Sequence, residues 1–198
     1  MTYSSFIKTS VLTIAITCLG SHTAIASELP GEFIVRSIEE SLQILKDPEL
    51  QDLDKAMERR DKLWALLEPI FNFEQIAKRS LGHHWKTRTV EEREDFILIF
   101  TQTLKDRYLS KIDSYSGEQL LYVKEKTQGR RTKVQTELIL TDGKKVSINF
   151  NMLQSSATWR IYDIIIEGVS TVGNYRSQFN SILSKSSFAE LLEKLNES

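Results

Sequence analysis

Residues 134–152 read VQTELILTDGKKVSINFNM, and this stretch decides the fold class. Val134, Thr136, Leu138 and Leu140 alternate with polar neighbours, and Val146, Ile148, Phe150 and Met152 alternate on the far side. A period of two places each set on one face of a strand. Between them sits Asp142-Gly143, a pair that favours the positive φ values of a tight hairpin turn. The stretch is therefore an antiparallel hairpin with one apolar face, and that face requires a covering layer.

Further strands flank the hairpin. Residues 118–126 make a short strand ending at the Gln128-Gly129 turn. Downstream, Trp159, Ile161, Tyr162, Ile164, Ile165 and Ile166 abandon alternation, so both faces of this last strand are apolar. Such a strand has helices on one side and further apolar matter on the other. The expected sheet is antiparallel, with about four strands.

The covering helices lie mostly upstream. After Pro30, apolar residues at Phe33, Ile34, Ile38, Leu42 and Leu45 keep helical spacing until Asp47-Pro48 stops it. A second run passes through Leu53, Met57, Leu63, Trp64, Leu67 and Phe71, with Pro69 ending the helix near Glu68. Asn72 caps a short helix through Phe73, Ile76, Ala77 and Leu81, closed by Gly82. Thr89 and Glu92 form a capping box that opens the longest helix. Its apolar face carries Phe96, Ile97, Phe100, Leu104, Tyr108, Ile112 and Tyr115, and Ser116-Gly117 breaks it. That face is longer and more aromatic than one small core needs. Helices near residues 172–183 and 188–195 close the chain. With no internal repeat, low-complexity tract or linker, the pattern is one α+β domain.

The first residues read as a secretory leader. Lys8 precedes an apolar run over residues 11–19, and Ala24-Ile25-Ala26 offers the small-x-small cleavage pattern. The run falls short of the ~20 apolar residues that span a bilayer. Cleavage after Ala26 divides the chain into a leader, 1–26, and a single domain, 27–198. Cys18, the only cysteine, leaves with the leader; Ala15 and Thr17 do not fit a lipoprotein signal around it. The remaining domain then has no disulfide, thiol nucleophile or thiolate metal site. The 198-residue chain carries a net charge of −1, and losing Lys8 makes it one unit more negative. That balance argues against a nucleic-acid partner, which selects for basic domains.

A search for chemistry yields little. The sequence has no glycine-rich phosphate loop, no nucleophile-elbow serine and no His/Cys set at metal-ligand spacing. His83-His84 are adjacent, point different ways, and follow a helix end where an imidazole complements the dipole. Asp163 and Glu167, four positions apart, fall on one face of an otherwise apolar strand by the two-residue alternation. A buried carboxylate there could act as a base, but acids near strand ends more often pair with a cation or cap an amide. The expectation is no catalytic residue, no metal and no cofactor.

Two blocks carry a family resemblance. The first runs from Asn72-Phe73-Glu74-Gln75-Ile76-Ala77-Lys78-Arg79-Ser80-Leu81-Gly82 through His83-His84-Trp85 to the helix start at Thr89. The second is Trp159-Arg160-Ile161-Tyr162-Asp163-Ile164-Ile165-Ile166-Glu167-Gly168-Val169-Ser170, followed by Asn174-Tyr175-Arg176-Ser177-Gln178-Phe179. Both resemble the MlaC family of periplasmic phospholipid-binding proteins, the toluene-tolerance auxiliary components. Thr171 and Gly173 depart from the family's usual run.

The resemblance implies a cone-like fold related to nuclear-transport-factor and cystatin folds, with a curved antiparallel sheet and a helical extension. It implies an apolar cavity for phospholipid acyl chains and a location in the periplasm. The implied partners are an inner-membrane ABC transporter with an MCE-domain protein and an outer-membrane lipoprotein complex, both met transiently. A sister branch is associated with hopanoid synthesis, and these motifs do not separate the branches. The residues suit a carrier: two acyl chains of about thirty methylenes, at ~0.8 kcal/mol each, face on the order of 25 kcal/mol on entering water. The expected cavity wall is Phe96, Phe100, Leu104 and Tyr108 from the long helix, with Ile148, Phe150, Tyr162, Ile164 and Ile166 from the sheet. The competing readings are a secreted isomerase or hydrolase of the same cone-like fold using Asp163 or a pocket tyrosine, and a partner-binding subunit with a filled interface.

Overall fold

Among the described residues, five strands form one antiparallel sheet in chain order: β1 Gln119–Gln128, β2 Arg131–Ile139, β3 Lys145–Ser155, β4 Thr158–Ile166 and β5 Val169–Ser170. They belong to a computed structural model that describes residues 28–112, 117–156 and 158–197. The expected leader with its cleavage site at Ala26, the side chain of Ile112, and residues Tyr115 and Ser116 lie outside the described residues. Four strands are long, and the fifth is a two-residue return.

The hairpin turns where Asp142-Gly143 directs it. Gly143 has φ +81, its amide donates to the Leu140 carbonyl at 2.8 Å, and Asp142 Oδ1 accepts from the Lys144 amide at 2.9 Å. Across it, Val134 faces Phe150, Thr136 faces Ile148 and Leu138 faces Val146. The next pairing carries a bulge: Asn151 aligns with Asp163 but Met152 with Ile161, so Tyr162 is an extra residue in β4. An extra residue inverts the alternation beyond it. Ile161 and Ile164 therefore both align with the inward-facing Met152 and Phe150, although three positions separate them. This is the physical source of the failed alternation in β4.

Among the described residues, six α-helices accompany the sheet: α1 Pro30–Lys46, α2 Ala56–Leu67, α3 Phe73–Leu81, α4 Val90–Ile112, α5 Thr171–Leu183 and α6 Phe188–Asn196. Their ends follow local chemistry. Asn72 Oδ1 accepts from the Gln75 amide at 3.0 Å, and the Thr89–Glu92 box closes in both directions at 2.8 and 3.2 Å. Gly82, at φ +57 and ψ −123, ends α3 in a conformation that side chains resist. One expectation fails: Leu53 and Met57 are 94% and 77% exposed and belong to no buried stripe. A 3-10 turn at Leu53–Lys55 delays α2 to Ala56, and Leu50 takes the buried position instead.

The interior is divided. One core joins the sheet to α1 through Ile34, Val134, Phe150, Met152, Trp159 and Ile161. The other joins α3, α4, α5 and α6 through Leu81, Phe96, Phe100, Tyr175, Phe179 and Leu191. Phe71 packs against both. Phe71 also bridges Ile161 in parallel, and the Asn72 amide donates to the Ile161 carbonyl at 2.8 Å, laying this connection along the β4 edge. No described helix is long and apolar enough to cross a membrane.

Candidate functional site

Between the two cores lies a cavity of about 440 Å³. Trp64 and Leu67 of α2 line it, with Phe71, Phe73 and Ile76 from the connection and α3. Leu104, Tyr108 and Leu109 come from α4; Leu138, Ile148, Ile161 and Ile164 come from the sheet; Thr171 and Val172 open α5. The volume falls within the ~300–1,000 Å³ of ligand pockets. Water in such a space needs two to four polar partners, and these walls are almost wholly hydrocarbon, so the cavity favours an apolar occupant.

Four of the nine sequence-predicted wall residues meet there: Leu104, Tyr108, Ile148 and Ile164. The other five are elsewhere. Phe96 and Phe100 are sealed among the α5 and α6 aromatics, with Phe100 at 4.9 Å from the Tyr175 ring and 5.2 Å from Phe179. Phe150 belongs to the sheet core, and the Tyr162 ring lies 4.3 Å beneath the Arg79 guanidinium. Ile166, at the end of β4, is 41% exposed. Sequence reasoning missed Trp64, Leu67, Phe71, Phe73 and Ile76 as wall residues, although their helical spacing marked them as apolar.

Asp163 and Lys105 are the charged residues lining the cavity. The Asp163 carboxylate is occupied: it accepts from the Ser170 hydroxyl at 2.8 Å and the Val172 amide at 3.1 Å, with Asn151 Nδ2 at 3.5 Å. Glu167 does not share its strand. It stands beyond β4 with φ +49, forms a tight turn with Gly168 at φ +82, and accepts from the Ser147 amide. Positive φ at both central residues is the signature of a two-residue hairpin turn.

Next to the cavity residue Tyr108 in sequence, Arg107 donates to the Tyr175 hydroxyl at 3.1 Å. Burial holds the Tyr175 phenol above the usual tyrosine range, and nearby Tyr108 adds to this while Arg107 opposes it. His84 Nε2 lies 3.2 Å from Asn180 Oδ1 on α5, and its ring stands 3.9 Å from His83. Among the described residues, no group of three or more His, Cys, Asp or Glu side chains could hold a metal ion. A second concavity of about 530 Å³ is walled by Lys124, Lys126, Arg131, Lys133 and polar neighbours, a lining unsuited to hydrocarbon.

Residues 36–197 match the protein family described as MlaC protein. The intermembrane phospholipid transport system binding protein MlaC of Haemophilus influenzae is 23% identical over 137 residues. That alignment covers 67% of this chain and 64% of the relative, so it spans less than two thirds of the relative's length. A solved phospholipid-binding protein from Ralstonia solanacearum, in complex with a phospholipid, superposes with a TM-score of 0.67 at 20% identity. It covers 82% of this chain and 94% of its own, a likeness of fold.

Proposed function

The chain belongs to the MlaC family, and on that premise we propose that it is a periplasmic carrier of phospholipid between the inner and outer membranes. It is the soluble component of a lipid-trafficking system, exchanging cargo with an ABC transporter bearing an MCE-domain protein and with an outer-membrane lipoprotein complex. Cleavage after Ala26 releases a single lipid-binding domain, 27–198. The observation that carries this reading is the hydrocarbon-walled cavity of about 440 Å³ between two separately packed cores.

At a scale of ~30 Å³ per water-sized unit, this volume takes on the order of fifteen methylenes, about one acyl chain. Each methylene sheltered from water contributes ~0.8 kcal/mol, which removes much of the barrier to crossing an aqueous gap. A second chain requires the space between the cores to widen. Carriage needs no bond to break, and the engagement of Asp163 as a hydrogen-bond acceptor supports a role without catalysis.

The test is mass spectrometry of lipid extracted from protein purified without detergent. Phospholipid in near-stoichiometric amount is expected; protein that neither retains nor takes up phospholipid from vesicles overturns the reading. N-terminal sequencing of the same material is expected to begin at Ser27.

A further inference from the structure

Lys105 is the part of the cavity wall that an acyl chain does not explain. Its ammonium lies 5.4 Å from the centre of the Trp64 ring, within the apolar lining, and 3.9 Å from Asp61 Oδ1. The Lys105 side chain is 23% exposed and that of Asp61 is 73% exposed. The charge therefore stands where hydrocarbon wall meets solvent, on α4 facing α2. At 3.9 Å the contact with Asp61 is longer than a hydrogen bond, and among the described residues the three ammonium donors have no acceptor. Asp163, the other charged lining residue, is committed to Ser170 and Val172.

We propose that Lys105 receives the anionic group of an amphiphile whose chain fills the cavity, with Asp61 standing in for that anion. The inference rests on reading the cavity as an acyl-chain site. An anionic oxygen arriving at hydrogen-bond distance satisfies the ammonium better than Asp61 does, and it sits one short reach outside the hydrocarbon. Phosphodiester and carboxylate share this chemistry, so the source is either a phospholipid or a fatty acid. A lysine acts as a point charge and reads the anion itself, not the group esterified beyond it.

The experiment compares delipidated wild type with Lys105→Gln, Lys105→Arg and Asp61→Asn. Each is titrated with phosphatidylglycerol from vesicles, with palmitate, and with hexadecanol as a neutral chain. Lys105→Gln is expected to lose about tenfold in affinity for an anionic ligand, the scale of one charge-assisted hydrogen bond. Its hexadecanol binding stays at the wild-type value, Lys105→Arg retains the anion, and Asp61→Asn binds it more tightly. A loss confined to phosphatidylglycerol assigns the site to a phosphodiester, and one confined to palmitate assigns it to a carboxylate. Wild type and Lys105→Gln binding both anions equally overturns the inference. Wild type that takes up none of the three ligands overturns the reading of the cavity, and this inference with it.

Discussion

The backbone amide of Val172 donates to the carboxylate of Asp163 at 3.1 Å, so a side chain of the last long strand holds the first turn of α5. Ser170 completes the arrangement, donating to Asp163 at 2.8 Å while accepting from the Gly173 amide at 2.8 Å. A carboxylate at a helix start also meets the positive end of the dipole. Asp163→Ala is expected to cost about 2 kcal/mol, and Asp163→Asn about half as much, because Asn keeps one acceptor oxygen. Both variants should carry phospholipid at wild-type occupancy. Urea melts and lipid mass spectrometry on the same preparations check this; lost lipid with an unchanged melt would give Asp163 a role at the ligand.

Filling the cavity should separate binding from stability. In Ile164→Trp or Leu104→Trp the added indole occupies space that a lipid chain would take. Overpacking in a closed core costs roughly 1–3 kcal/mol; here the melting temperature should stay near wild type while bound phospholipid falls sharply. The contrast is Phe100→Ala, which removes a ring that is 1% exposed among Phe96, Tyr175 and Phe179. It should cost about 3–5 kcal/mol, with lipid retained by the folded fraction. Equal destabilisation by all three would place Ile164 and Leu104 in ordinary core.

Alkaline pH should weaken the fold partly through Tyr175. Burial favours its neutral phenol in the folded protein and raises its titration above the usual value of 10. The stability this lends is whole below pH 10 and is lost as pH rises from there through the folded value. Denaturation midpoints measured at about pH 9 and about pH 11 should fall further for wild type than for Tyr175→Phe. Parallel losses would remove Tyr175 from the account.

Gly31 gives a test with an unusual sign. An alanine in a helix is ordinarily about 1 kcal/mol better than glycine. At Gly31, in the first turn of α1, the added carbon runs into the Tyr122 ring on β1. The Gly31 amide also donates to Glu125 at 2.6 Å, fixing the two elements together. Gly31→Ala should therefore destabilise by roughly 1–3 kcal/mol, and a thermal melt showing a gain would mean that Tyr122 moves aside freely.

The hairpin was legible because a period-two pattern and Asp142-Gly143 specify strand and turn within nineteen adjacent positions, all near in space. The cavity was half legible. Phe96, Phe100, Leu104 and Tyr108 share one stripe of α4, and spacing alone gives them one environment. Their fates differ because Phe179 and Phe188 pack on Phe96, whereas Tyr108 meets the space between the cores. Tyr162 went astray for another reason. The bulge opposite Asn151 and Met152 shifts the register, and a bulge is a property of the strand pair that one strand's sequence does not display. The α2 wall, Trp64 and Leu67, was seen as an apolar stripe without any sign that it faced an opening and not a packed neighbour.

The connection at Phe71 and Asn72 lies along one margin of the sheet, where the Asn72 amide reaches the Ile161 carbonyl. A bare strand margin is a template on which foreign strands polymerise. Here that template is already taken by the chain's own backbone, and β5 shields the next stretch at Ile165 and Ile166. The opposite margin, β1, is bent by an irregularity between Tyr122 and Lys124 and carries Lys124 and Lys126. An arriving strand meets occupied hydrogen bonds on one side and an irregular, lysine-bearing strand on the other. Both margins are thus poor templates for the edge-to-edge stacking that seeds fibrils.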